Sequence, residues 1–104
     1  MKDYFVYILE CSDNSFYTGV THDIEKRLKE HQSGLINGYT SKRLPVKLVF
    51  SERFREIDQA IRFEKQIKGW SRKKKLALIN GDIDLLVYYS NFKKEKSHPS
   101  SSSG

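Results

Sequence analysis

Residues Tyr4 to Glu10 read Tyr-Phe-Val-Tyr-Ile-Leu-Glu, apolar or aromatic at every position but the last. A run this short and this rich in aromatic and β-branched side chains reads as a strand rather than a helix. With both faces apolar it needs cover on both sides, which places it at the centre of a sheet. Ser12-Asp13-Asn14-Ser15 supplies turn chemistry immediately afterwards. Phe16 to Thr21 is then the returning strand of a hairpin, and the rest of the chain has to be arranged around this pair.

The loop of the hairpin decides which side chains share a face. A two-residue loop at Asp13-Asn14 pairs Tyr7 with Val20 and sends Tyr7 and Tyr17 to opposite faces. A three-residue loop, Asp13-Asn14-Ser15, pairs Tyr7 with Thr21 and puts Tyr7, Tyr17 and Gly19 on one face. If both tyrosines serve one site, the odd-length loop is required.

A helix is predicted from about Asp23 to Gln32, capped by Thr21 or Asp23 and ended by Ser33-Gly34. Ile24 and Leu28 form its apolar stripe, with Glu25–Lys29 and Lys26–Glu30 as i,i+4 pairs on the wet side. Gly34 to Pro45 is a polar, basic loop. Val46 to Phe54 is a third strand, with Val46, Leu48 and Phe50 on one side. A second helix runs from about Glu56 to Gly69 with the stripe Ile57, Ala60, Ile61, Glu64 and Ile67. A third runs from Ser71 to Asn80-Gly81, and Asp82 to Tyr89 is open between a short helix and a strand. The expectation is an α+β fold, a small three-stranded antiparallel sheet flanked by helices in the order β-β-α-β-α-α. One domain spans residues 1–92, and a charged, serine-rich tail over 93–104 is expected to be disordered.

The 104 residues are 38% hydrophobic, enough for one small core, and carry a net charge of +6. A basic small domain points to a polyanion, against the plainer reading of a surface charged for solubility. The distribution favours the polyanion: Arg62, Lys65, Lys68, Arg72, Lys73, Lys74 and Lys75 crowd one stretch of sequence with only Glu64 among them. No apolar run is long enough to span a membrane. No charged-then-apolar leader opens the chain, and Cys11 is the single cysteine, so a reducing, cytoplasmic setting is expected. One cysteine and three irregularly spaced histidines argue against a structural zinc site.

Glu64 occupies a position where the helical stripe asks for an apolar residue, and a carboxylate there is costly unless it is paired or bound to a cation. The plain alternative is a pair with a lysine or arginine. Arg27 and His31 lie one turn apart on one helix face. A guanidinium suits a phosphate carrying extra charge, and a histidine in that place can meet a tyrosine hydroxyl or serve only the helix dipole. Tyr7 and Tyr17 offer phenols, or ordinary strand packing. Gly19 marks a close approach. Thr21 and Thr40 can donate to phosphates or simply serve a turn, and Trp70 can stack on a base or pack.

Taken together, Val6-Tyr7-Ile8, Tyr17-Thr18-Gly19, Asp23-Ile24-Glu25-Lys26-Arg27-Leu28 with His31, and Phe63-Glu64-Lys65-Gln66-Ile67-Lys68 resemble a GIY-YIG nuclease domain of the small stand-alone bacterial branch. The likeness covers roughly Tyr4 to Ile79. It implies a metal-dependent endonuclease hydrolysing DNA phosphodiesters, selective for structure rather than sequence. Tyr7, Tyr17, Arg27, His31 and Glu64 are the implied catalytic set, with Glu64 holding Mg²⁺ or Mn²⁺. One tyrosine is implied to deprotonate the attacking water; Tyr17 is the first candidate and Tyr7 a positioner. Gly19, Thr21, Arg62, Lys65, Lys68, Arg72, Lys73, Lys74 and Lys75 are the expected nucleic-acid contacts. The first motif departs from the family's glycine, isoleucine, tyrosine but keeps the tyrosine. The asparagine that many members carry after the metal glutamate is absent until Asn80. The alternatives are a non-catalytic nucleic-acid-binding module or a partner-recruited accessory protein of DNA repair or recombination.

Overall fold

In a computed structural model that describes residues 2–36 and 38–87, the hairpin forms as β1 (Tyr4–Glu10) and β2 (Phe16–Thr21). Tyr7 stands opposite Gly19 and Leu9 opposite Tyr17. This is two residues away from the pairing that a loop of Asp13 to Ser15 would give. The turn is Ser12-Asp13-Asn14 instead: the Cys11 N–H donates to the Ser15 carbonyl and the Asn14 N–H to the Cys11 carbonyl, both at 2.9 Å. Asn14 closes it at φ 67°, a left-handed conformation asparagine tolerates. The Asp13 carboxylate accepts from the Ser15 N–H and hydroxyl, which holds Ser15 outside the turn. The loop remains odd in length, so Tyr7, Tyr17 and Gly19 do share a face.

β3 (Lys47–Phe54) pairs antiparallel with the other edge of β1, giving the order β2-β1-β3 with one irregularity at Ile8/Leu9. β1 is thus central, as its two apolar faces require. On one face Tyr7, Leu9, Cys11 and Val46 are buried together, joined by Tyr17, Leu48 and by Ile24 and Leu28 of α1 (Ile24–Gln32). On the other, Phe63 of α2 (Ile57–Lys68) packs against Phe50 and Phe54, ring centroids 6.4 and 5.4 Å away. Phe50 stands opposite Ile8, which is fully buried. α2 also differs from its expected stripe. Ala60 and Ile67 are buried, but Ile57 and Ile61 are exposed. The face turned to the sheet includes Phe63, whose ring meets two phenylalanines of β3, and leaves Ile57 and Ile61 outside it.

The chain divides into two units, Met1–Gly69 and Trp70–Gly104. The first holds the sheet, α1 and α2. In the second, α3 (Arg72–Ile79) is capped by the Ser71 side chain, which accepts from the Lys74 N–H, and Asn80 is its C-cap, so the asparagine does stand at a helix end. Residues 83–87 are helical, which settles that open segment as far as it is described; its last two residues and the tail over 93–104 lie outside the described residues. The element order is the expected β-β-α-β-α-α. Among the described residues no helix is long and apolar enough to cross a membrane.

Candidate active site

α1 positions two of the side chains. Asp23 caps it, accepting from the Lys26 N–H, while the Thr21 hydroxyl accepts from the Asp23 N–H at 3.1 Å. Thr21 therefore braces the helix start, which occupies the hydroxyl expected to meet phosphate. The helix ends at Gly34, whose φ of +77° lets its N–H reach the His31 carbonyl and the Leu35 N–H reach that of Glu30. That termination fixes His31 in the last turn, and its ring is fully buried.

His31 is bonded at both nitrogens. Nε2 lies 2.9 Å from the Tyr7 hydroxyl and Nδ1 lies 2.7 Å from the Thr40 hydroxyl. The Tyr17 ring packs 5.0 Å from the imidazole and 6.3 Å from the Tyr7 ring, centroid to centroid, and Tyr39 extends the cluster beyond Tyr17 at 6.3 Å. Arg27 lies beside the Tyr7 phenol. Hydrogen bonding to that phenol raises the arginine's pKa, opposed by burial. Its Nη1 also donates to Glu30 Oε1 at 3.3 Å, so Glu30 pairs with Arg27 rather than with the expected Lys26. The buried Arg27 Nε has no protein partner among the described residues, and the side chain borders a surface depression with Val20, Thr21, Lys26 and Glu30. The side chain as a whole is 38% exposed at this depression, so the outer part of the guanidinium can meet a phosphate there.

The electrostatics give each group a definite resting form. Burial pushes the Tyr7 phenol above the usual value of about 10, with Arg27 pulling it back, so it rests protonated at neutral pH. Burial, reinforced by Arg27, lowers the His31 pKa below its usual value of about 6.5, so the imidazole rests neutral. Unfolded chains therefore bind more protons at this histidine than folded ones between the two pKa values. The sign follows: its contribution to stability is complete above about pH 6.5 and is lost as pH falls through the lower folded pKa. An NMR titration should place the His31 midpoint below that of free imidazole, and a midpoint at or above it would contradict this setting.

Glu64 sits on α2 near enough to the Tyr7 phenol to oppose its ionisation. Its half-buried carboxylate meets Lys68 Nζ at 2.7 Å, and that hydrogen bond raises the lysine's pKa. The plain alternative, a lysine-paired carboxylate, is thus realised here. Among the described residues no three His, Cys, Asp or Glu side chains group to form a cage for a metal. A single carboxylate at the edge of a basic site still fits Mg²⁺ or Mn²⁺, which take few protein ligands and rely on water and substrate phosphate. The tyrosines, Arg27, His31 and Glu64 therefore fall in one unit and one neighbourhood.

Gly19 faces Tyr7 directly. A Cβ at this position would lie 2.5 Å from the Tyr7 hydroxyl oxygen and 2.7 Å from Cζ. The phenol has little room to retreat, since it is 2% exposed and bonded to His31. Gly19→Ala should lower stability by about 1–3 kcal/mol and break the Tyr7–His31 bond. Urea melting with a spectrum of the His31 ring checks both; an unshifted midpoint would mean that Tyr7 can move freely.

The expected basic surface divides between the two units. Arg62 and Lys65 are exposed on α2, and Lys68 holds Glu64. In the second unit Arg72 and Lys73 are exposed, but Lys74 is buried with its ammonium over the Trp70 ring at 4.2 Å, and Lys75 is half-buried with its pKa lowered by that burial. Trp70 therefore serves a cation, and Lys74 and Lys75 are poorly placed to reach phosphate. Sequence reasoning left Tyr39 out and gave Thr40 no tie to His31. An aromatic and a hydroxyl side by side in a basic loop were the only local signal.

The family model of the GIY-YIG catalytic domain matches residues 3–77. A UPF0213 protein of Staphylococcus saprophyticus is 45% identical over 80 residues, covering 77% of this chain and 98% of its own. One of Syntrophus aciditrophicus is 51% identical over 80 residues, covering 76% and 92%. The solution structure of a UPF0213 protein from Bacillus halodurans, 44% identical, superposes with a TM-score of 0.51 over 75% of this chain and 83% of its own.

Proposed function

We propose, on the premise that this chain belongs to the GIY-YIG family of nuclease domains, that it is a Mg²⁺-dependent endonuclease hydrolysing DNA and choosing substrate by structure rather than base sequence. The observation that supports this most is the hydrogen-bonded pair of Tyr7 and neutral His31 beside Arg27. A buried phenol with a raised pKa is a poor base by itself. It becomes a useful one if its own proton leaves as it receives another. Water attacking phosphorus gives a proton to the Tyr7 oxygen while the Tyr7 proton passes to His31 Nε2. Arg27 holds the phosphoryl oxygens as charge builds on them. The Tyr7 hydroxyl is the one bonded to His31 Nε2, whereas Tyr17 meets that imidazole through its ring, which favours Tyr7 over Tyr17 as the proton acceptor. Glu64 would hold the metal, whose chemistry is to polarise the scissile phosphate and stabilise the leaving oxygen. Lys68 would then release Glu64 and meet the phosphate backbone together with Arg62 and Lys65, contacts that position without reading bases.

A role in DNA repair or recombination fits such an activity, and a chain whose one cysteine is buried suits the reducing cytoplasm. The Glu64–Lys68 pair favours one competing reading, in which the carboxylate is already satisfied and the domain only binds nucleic acid. Labelled single-stranded, duplex and branched DNA, incubated with Mg²⁺ or with EDTA, separates the two. Cleavage that EDTA stops is expected. Salt-sensitive binding of every substrate with no cleavage would establish the binding module instead.

A further inference from the structure

The geometry points to Thr40 as a positioning residue that sets the tautomer of His31, presenting the Nε2 lone pair to Tyr7; this rests on the proton relay proposed above. Arg27 stands beside the phenol oxygen and a guanidinium can only donate. The phenol is thereby left to give its own hydrogen to Nε2. A neutral imidazole that accepts at Nε2 carries its proton on Nδ1, and the atom placed to receive it is Thr40 Oγ1 at 2.7 Å. Thr40 is 1% exposed, so no solvent competes for that place.

The turn holding Thr40 is itself fastened. The Arg43 N–H donates to the Thr40 carbonyl at 3.0 Å, and Arg43 Nη1 donates to the Tyr39 carbonyl at 2.9 Å. The guanidinium lies 3.8 Å over the Tyr39 ring, and its Nε donates to Asp13 Oδ2 at 3.0 Å. The Arg43 carbonyl receives the Ser12 N–H at 2.9 Å. Arg43 thus ties the two carbonyls flanking the Thr40 nitrogen and Cα to the tip of the β1–β2 hairpin, which carries Tyr7 and Tyr17. Phenol and hydroxyl are held at opposite ends of one imidazole by one continuous fastening, and the side chain between them has a single orientation. A threonine that merely filled space would need neither the bond to Nδ1 nor this anchorage.

The full chain, with ¹⁵N-labelled histidine, tests this through long-range ¹H–¹⁵N spectra at pH 7.5, alongside single-turnover cleavage of DNA with Mg²⁺. Native His31 is expected as the Nδ1–H tautomer. Thr40→Ser should keep that tautomer and cleave within about threefold of native, whereas Thr40→Val should shift the ring toward the Nε2–H form and slow turnover about tenfold or more, with KM little changed. An Nε2–H tautomer in the native protein overturns the inference, as does a valine variant with native spectrum and rate. If the valine variant fails to fold, the native and serine spectra still decide. Should no DNA be cut by any variant, the nuclease reading fails, while the tautomer and its response to Thr40 decide this inference independently.

Discussion

Replacing Glu64 with alanine is expected to reduce cleavage by about a hundredfold or more, while nucleic-acid binding is unchanged or tighter. Loss of cleavage follows from removing the carboxylate that would hold the metal. Retained binding follows from charge: the change removes a negative group from a basic neighbourhood and releases Lys68, now held at 2.7 Å, to meet phosphate. Stability should barely move, because an i,i+4 pair whose lysine is more than half exposed contributes less than about 1 kcal/mol. Single-turnover cleavage and salt-dependent gel-shift titrations measure the two arms. Cleavage at the native rate would return Glu64 to the plain role of a lysine's partner. Loss of binding with an intact fold would count against its facing the phosphate at all.

Tyr7→Phe is the second large effect. It keeps the ring in the core and removes the oxygen that links water, Arg27 and His31. General acid–base catalysis contributes about 10²–10⁴-fold, and a loss in that range is expected. Stability should fall by about 1–3 kcal/mol, since the buried His31 Nε2 loses its partner. Tyr17→Phe retains the ring that packs on His31 and should cost less than about tenfold. The comparison carries the assignment: a Tyr17→Phe loss larger than the Tyr7→Phe loss would make Tyr17 the proton acceptor. The pH profile of the native enzyme adds a check. His31 must be neutral to receive the proton, so the rate should rise with pH through the lowered His31 pKa and already be level from about pH 6.5 upward.

Much of the architecture was legible before any coordinates. The central strand follows from an unbroken apolar run and α1 from its cap and glycine stop, whereas the joint face of Tyr7, Tyr17 and Gly19 was conditional on an odd-length hairpin loop that only the observed register settles. The first two are local properties, and the periods of strand and helix carry them. The exact turn did not follow, because Asp13 holds Ser15 through side-chain bonds that compete with the expected loop. The stripe on α2 was misread at Ile57 and Ile61, since periodicity shows an apolar arc but not which part of it a neighbouring strand's phenylalanines will select.

The site divides in the same way. The resemblance of the motifs singled out five candidate side chains, and the structure brings Tyr7, Tyr17, Arg27, His31 and Glu64 together in one unit. How they are wired was not legible in the sequence. Tyr7, His31 and Thr40 are 24 and 9 positions apart in pairs, and no pattern in the chain says that one imidazole bridges a strand phenol and a loop hydroxyl. Burial keeps the phenol protonated and, reinforced by Arg27, keeps the histidine a neutral acceptor. It also removes Lys74 from a charge cluster that looked uniform in sequence. Amino-acid order determined the elements and the chemical repertoire, because propensity and periodicity act over a few residues. Tertiary structure decided partner, proton and solvent access, because each depends on desolvation and on contacts made across the fold.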